Sequence, residues 1–182
     1  MPALTISLPA PLPAAATAAR PGRTQALPPV AVLPGFATGS LVRTLCGDLP
    51  VEALEAGMPL IDSQGRLHSL RRRIALRPTR AQLVRIAPGA LDMSARLDRD
   101  LLVGAAQKVL FDDWRIQLVH GGATPVPARH LCDDMLITPE NVRDATLHVL
   151  VTDHLAVLRV NGLRMLSSDR ALARALKKHH AR

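Results

Sequence analysis

The stretch LPGFATGSLVRT, residues 33–44, decides how the rest of the chain is read. Pro34-Gly35 and Gly39 are turn formers, with Phe36 between them. From Ser40 the residues alternate apolar and polar over 40–45, as on a half-buried strand. The stretch therefore reads as a turn that launches a first β-strand. Its peculiarity is Gly35, a residue with no side chain at the head of the unit.

Upstream, residues 1–32 have a different texture. Pro2, Pro9, Pro11, Pro13, Pro21, Pro28 and Pro29 are set among Ala and Thr. Proline removes backbone donors and fixes φ, so ladders of hydrogen bonds do not form there. The reading is a disordered or polyproline-II-like tail. It lacks the basic segment that begins a secretory signal.

Downstream, short β-rich runs follow one another: 49–54, 58–62, 66–76, 81–87, 100–103, 108–111, 114–119, 124–131, 134–138, 146–153 and 155–162. Gly, Pro, Asp or Asn separates many of them. Runs at this spacing predict an all-β domain over residues 33–166. Residues 138–145 read as one helical turn capped by Thr138. Residues 167–182 read as a short basic helix, with Ser167 or Ser168 as N-cap and Leu172 and Leu176 on one face.

The chain has 182 residues, 48% of them hydrophobic but only 2% aromatic, with no Tyr. The core must be aliphatic. No apolar run reaches the ~20 residues of a membrane helix. The net charge is +8, which suits a nucleic acid, an anionic surface or an acidic partner. Base stacking needs aromatic platforms that this chain lacks. In the densest basic run, 71–80, Arg71 and Arg73 point one way and Arg72 the other, so a solvated face or the charge protection of an edge strand is the preferred reading.

Cys46 and Cys132 are too far apart for a disulfide framework or a metal knuckle. Free thiols suit a reducing compartment such as the cytoplasm. The histidines, at 68, 120, 130, 148, 154, 179 and 180, form no ligand motif. A zinc site across the fold from His130, His148 and His154 is the alternative to solvated or satisfied histidines, and no metal or cofactor is expected.

Four stretches together carry a likeness: GFATGSLVRTLCGDLPVEALEAGMPL (35–60), RPTRAQLVRIAPGAL (77–91), RDLLVGAAQKVLF (99–111), and PARHL (127–131) with LHVLVTDHLAVLRVNG (147–162). In order and spacing they resemble the Hint superfamily, the autoprocessing domains of hedgehog proteins and inteins, in its bacterial form. The resemblance implies a horseshoe-shaped all-β fold of about a dozen short strands. It also implies a Cys, Ser or Thr at the first position, attacking the preceding carbonyl, and a Ser/Thr-x-x-His motif whose histidine moves the proton.

Carried over residue by residue, the first position is Gly35, and the motif's hydroxyl and histidine fall on Gly104 and Gln107. His154 matches a late family histidine. Glutamine hydrogen-bonds but does not exchange a proton near neutral pH. The expectation is a domain without self-cleavage that binds an unidentified protein or serves a structural role. Two rivals stay open. One is self-cleavage shifted to Ser40 or Cys46, with Thr38 also near. The other is a basic binder of nucleic acid or anionic surfaces.

Overall fold

A computed structural model of the chain describes residues 29–91, 97, 99–111, 123–168 and 174. The tail to residue 28, the run 114–119 and nearly all of the C-terminal helix expected over 167–182 lie outside them.

Thirteen strands among the described residues join into one open sheet: β1 (Phe36–Ala37), β2 (Leu41–Thr44), β3 (Gly47–Pro50), β4 (Pro59–Ile61), β5 (Leu67–Leu76), β6 (Arg80–Ile86), β7 (Leu101–Gly104), β8 (Lys108–Phe111), β9 (Thr124–Pro127), β10 (Ile137–Arg143), β11 (Leu147–Thr152), β12 (Val157–Val160) and β13 (Leu163–Leu166). Their order in space is β10-β6-β7-β1-β11-β5-β4-β2-β12-β13-β8-β9, with β3 beside β2. The strands pair antiparallel throughout. The all-β class expected from the spacing of the runs is the class observed.

The ten-residue β5 joins the two halves. Its first residues, Leu67–Ser69, pair with β4. From Leu70 to Leu76 it pairs with β11. The basic run 71–80 therefore starts in the middle of the sheet, and its arginines do not guard an edge. Arg71 and Arg72 are exposed, while Arg73 is partly buried.

Residues 138–145 are not a helical turn. They lie mostly in β10, which pairs with β6 over seven residues. Pro139 is tolerated because β10 is an edge strand, where a missing N–H leaves no ladder partner wanting. Two other runs are shorter as strands than their sequence suggests: β3 gives way at Val51–Ala53, and β9 at Ala128–His130, to single 3-10 turns.

The core is aliphatic, as the composition requires. Phe36 is its one buried aromatic among the described residues, packed with Val42, Leu60, Leu70, Val103 and Leu158. A second cluster, Leu76, Ala81, Leu83, Leu147 and Val149, has Leu33 packed on it. Every residue of β11 is buried, so this strand has apolar neighbours on both faces and is the axis of the domain.

The two ends of the domain are tied by backbone. Ala31 forms a parallel bridge with Ala81, so the docked chain starts inside the stretch read as tail. Ser167 and Ser168 are tied to the sheet by hydrogen bonds. The Ser167 hydroxyl accepts the Ala156 N–H at 2.9 Å and bonds to the Thr152 hydroxyl at 2.7 Å. The Ser168 N–H donates to the Leu150 carbonyl at 2.8 Å.

Candidate functional site

β1 is only two residues long, yet it is held between β7 and β11. Phe36 pairs with Val103 on one side and His148 on the other. This places Gly35 in the middle of the sheet, immediately before the buried Phe36. Gly35 has φ +127°, a backbone conformation that side chains of L-residues rarely adopt. A Cβ there would sit 3.1 Å from the His148 carbonyl oxygen.

The chain brings Gly35, Gly104 and Gln107 together although they lie far apart in sequence. The Gly35 N–H donates to Gln107 Oε1 at 3.0 Å, and this bond is buried. The Gly104 N–H donates to the Gly35 carbonyl at 2.8 Å. The Gln107 amide in turn donates to the Leu166 carbonyl at 2.8 Å and the Lys108 carbonyl at 3.2 Å. Gln107 is thus a buried amide whose oxygen holds the turn before β1 and whose N–H groups reach β8 and β13. No proton can be shuttled through it near neutral pH.

Gly104 is a glycine for lack of space. Its φ lies outside the left-handed region. A Cβ built on it would overlap the carbonyl oxygen of Leu33. A serine at this position has no room while residues 33–34 run where they do.

The other candidates lie apart from this trio. His154 is exposed in the bend after β11, beyond the end of a strand on which His148 is the residue that faces Phe36. Ser40 is buried, and its hydroxyl donates to the Ala37 carbonyl at 2.7 Å. That bond and the Ser40 N–H to the same carbonyl close the turn 37–40, with Gly39 at φ +85°. Cys46 is exposed at the turn between β2 and β3. Cys132 is partly buried, and burial, helped by Asp134 and Asp133, raises its thiol above the usual range. His130 accepts from the Arg129 guanidinium at 3.1 Å. Among the described residues no three metal-ligating side chains come together, and His130, His148 and His154 lie apart.

One functional group was missed in the sequence. Residues His148, Thr38 and Arg73 form a chain beside Gly35. Arg73 Nη1 lies 3.1 Å from His148 Nδ1, and Thr38 Oγ1 lies 3.1 Å from His148 Nε2. Guanidinium only donates, so Nδ1 is the acceptor and the ring proton is on Nε2. His148 therefore donates to Thr38. The arrangement looks like a histidine beside a hydroxyl nucleophile, but the histidine holds its proton on the side facing the hydroxyl and is not a base for it. Burial lowers the pKa of His148, and the Arg73 charge lowers it further. Glu52, whose carboxylate accepts the Gly39 N–H at 2.8 Å, acts weakly the other way. The signal in the sequence was a single polar residue in the apolar run LHVLV.

A small cleft of about 170 Å³ opens beside the 37–40 turn, lined among others by Thr38, Arg99, Asp100 and Asn161. Arg99 donates to the Gly39 carbonyl at 3.2 Å.

A sequence model of the Hint domain family matches residues 34–168. Among solved structures, the chain is similar to the MchDnaB-1 intein, with 11% identity and a TM-score of 0.50, over 73% of this chain and 99% of that one. A DnaB intein from Synechocystis sp. is matched at 14% identity and a TM-score of 0.49, over 75% of this chain and 99% of that one. A bacterial intein-like domain from Clostridium thermocellum is matched at 10% identity and a TM-score of 0.49, with the same coverage. No curated protein matches the sequence. The first of these likenesses speaks for the fold alone, and the family match spans most of the chain: the protein belongs to the Hint domain family.

Proposed function

We propose that this Hint domain keeps the family's fold without its self-cleavage and serves as a binding or structural module that retains the polypeptide before Gly35. One observation carries the reading. Gln107 Oε1 receives the Gly35 amide proton at 3.0 Å in a buried bond. Cleavage before Gly35 requires a side-chain nucleophile on that residue and a proton donor for the departing amide. Gly35 has no side chain, and the group facing its nitrogen is a carboxamide oxygen that only accepts.

Substitutes nearby do not supply the missing pair. The Ser40 hydroxyl is committed to the Ala37 carbonyl. The Thr38 hydroxyl receives a proton from His148 and has no base in reach through that ring. The exposed Cys46 sits at the far end of β2 from the Gly35 turn.

The test is a fusion. A marker protein is joined ahead of residue 1 of the full chain, expressed, and followed on a blot against the marker. The expected result is one band of the full fusion mass at all times. A marker band released without added protease contradicts the reading.

A further inference from the structure

Strand β5 carries one residue more than its partner. Along β11, Val151 faces Arg72 and the next residue, Thr152, faces Leu70, so Arg71 is the extra residue of a β-bulge. The bulge resets the alternation of side chains along β5. Leu70 and Arg73 take the face of the larger core: Leu70 is buried in it, and Arg73 lies opposite Leu150, which is buried there too. Arg72 shares the other face with Ile74 and Leu76, which belong to the second apolar cluster. Arg71, next to Leu70 and before the reset, is turned to that same face. A regular strand would set Arg71 and Arg72 on opposite faces; here both are exposed on one. Among the described residues neither guanidinium has an ion-pair or hydrogen-bond partner.

Aliphatic side chains flank the pair. By alternation back from Leu70, Ser69 and Leu67 lie on this face as well. Leu67 is 57% exposed and lies opposite the partly buried Ile61 of β4. On the other side of the arginines comes Ile74, also partly buried. The outer face of β5 thus has apolar ends and two unpaired charges between them.

We propose that this face is a protein-docking surface, and that its partner presents carboxylates beside aliphatic side chains. The proposal rests on the reading of the domain as a binding module and gives that reading a place and a partner chemistry. Two guanidinium forks match carboxylates in geometry and charge. Leu67 and Ile61 supply the apolar contact that keeps water from such pairs. Other occupants fit this face less well. A second copy would set arginines against arginines. Nucleic acid would lay Leu67 and Ile61 against phosphates, where apolar side chains gain nothing. A membrane would have to take in the exposed turn residues Gln64, Gly65 and Arg66 before it reached Leu67.

The full chain, titrated into a short labelled peptide that alternates Glu and Leu and followed by fluorescence anisotropy, tests this. Binding is expected, and a peptide with Ser in place of Leu should bind about threefold or more weakly. Arg71→Ser combined with Arg72→Ser should weaken binding by about tenfold or more, and Leu67→Ser by about threefold or more. Arg129→Ser combined with Arg143→Ser removes the same charge from exposed sites elsewhere and should change affinity by less than about twofold. Absence of binding overturns the proposal, as does an equal loss in the two double variants. So do phosphatidylserine vesicles or duplex DNA that bind through Arg71 and Arg72 more tightly than the peptide. Peptide-induced NMR shifts of the unsubstituted chain, which do not depend on any variant folding, should centre on residues 67–74 and Ile61; shifts centred elsewhere overturn it. Intact mass recorded on the same samples separates the two readings: fragments defeat the absence of cleavage, whereas an uncut chain that ignores the peptide defeats only this surface.

Discussion

The Gln107 side chain accepts the backbone proton of Gly35 at 3.0 Å, across 72 residues of sequence. The same amide donates to Leu166 near the end of the last strand. One buried carboxamide thus joins the first turn of the domain to its final strand. Removing it strands a donor at Gly35 and an acceptor at Leu166. A buried polar group without a partner costs about 1–3 kcal/mol. Gln107→Ala should therefore lower unfolding stability in urea by about 2–6 kcal/mol for the two groups. A loss of less than about 0.5 kcal/mol, the range of a neutral surface change, would show that the bond is not made.

Restoring a nucleophile at Gly35 should not restore cleavage. A cysteine there meets φ +127° and a Cβ contact of 3.1 Å with the His148 carbonyl. Residues held in such a conformation cost about 1–3 kcal/mol. Gly35→Cys is expected to be less stable by about that amount and to give a single intact mass in the presence of thiol. Fragments from this variant alone would mean that Gly35 was the sole obstacle and that Gln107 was not one.

The sequence was legible where backbone pattern decides. Alternating runs and turn residues located most strands, and the order of four motifs brought Gly35, Gly104 and Gln107 into view before any geometry. It misled at 138–145, where Pro139 and the polar residues read as a capped turn but lie on the edge strand β10. At Arg71–Arg73 it offered a solvated face or the guarding of an edge; Arg71 and Arg72 are exposed, but charge alone does not say that β5 has a neighbour on each side, which rules out the edge. His148 stood out only as a zinc candidate, and its place was hidden because strand pairing over 112 residues puts it opposite Phe36, a contact that no local pattern encodes. The tightness at Gly104 was hidden for the same reason: the atom that fills the space belongs to Leu33.

His148 should make the domain sensitive to mild acid. Its folded pKa is lowered by burial and by Arg73, while an unfolded histidine titrates near about 6.5. Between those values the unfolded chain binds the proton and the folded chain does not. Stability is therefore complete above about pH 6.5 and declines as pH falls below it. His148→Gln offers an acceptor to Arg73 and a donor to Thr38 without a titrating group. Urea midpoints of the two proteins should diverge in slope between about pH 7 and 5, the variant being the flatter. Parallel curves would show that His148 is not held neutral.

Asp62 should set a second, lower window. Burial pushes its carboxyl up, but the Arg66 N–H and guanidinium, His68 and the Gln64 N–H outweigh that and hold it well below the usual carboxylate range. Both carboxylate oxygens are engaged, Oδ1 by Gln64 and Arg66 at 2.8 Å and Oδ2 by Arg66 at 2.9 Å and His68 at 3.1 Å. A lowered folded pKa gives stability that is present above the unfolded value, about 3.9, and is lost as pH falls below it. Asp62→Asn puts an amide where two donors already point. It should cost about 2–3 kcal/mol at pH 7, as for hydrogen bonds to a charged group, and the gap to the unsubstituted chain should shrink below about pH 4. A gap that is the same at pH 7 and pH 3 would contradict this.

Intact mass spectrometry of the pure, full chain, incubated for days with dithiothreitol or hydroxylamine, bears most directly on the absence of self-cleavage. The account predicts one species at the mass of all 182 residues. Two fragments that sum to that mass, with the break before Gly35, Thr38, Ser40 or Cys46, would contradict it.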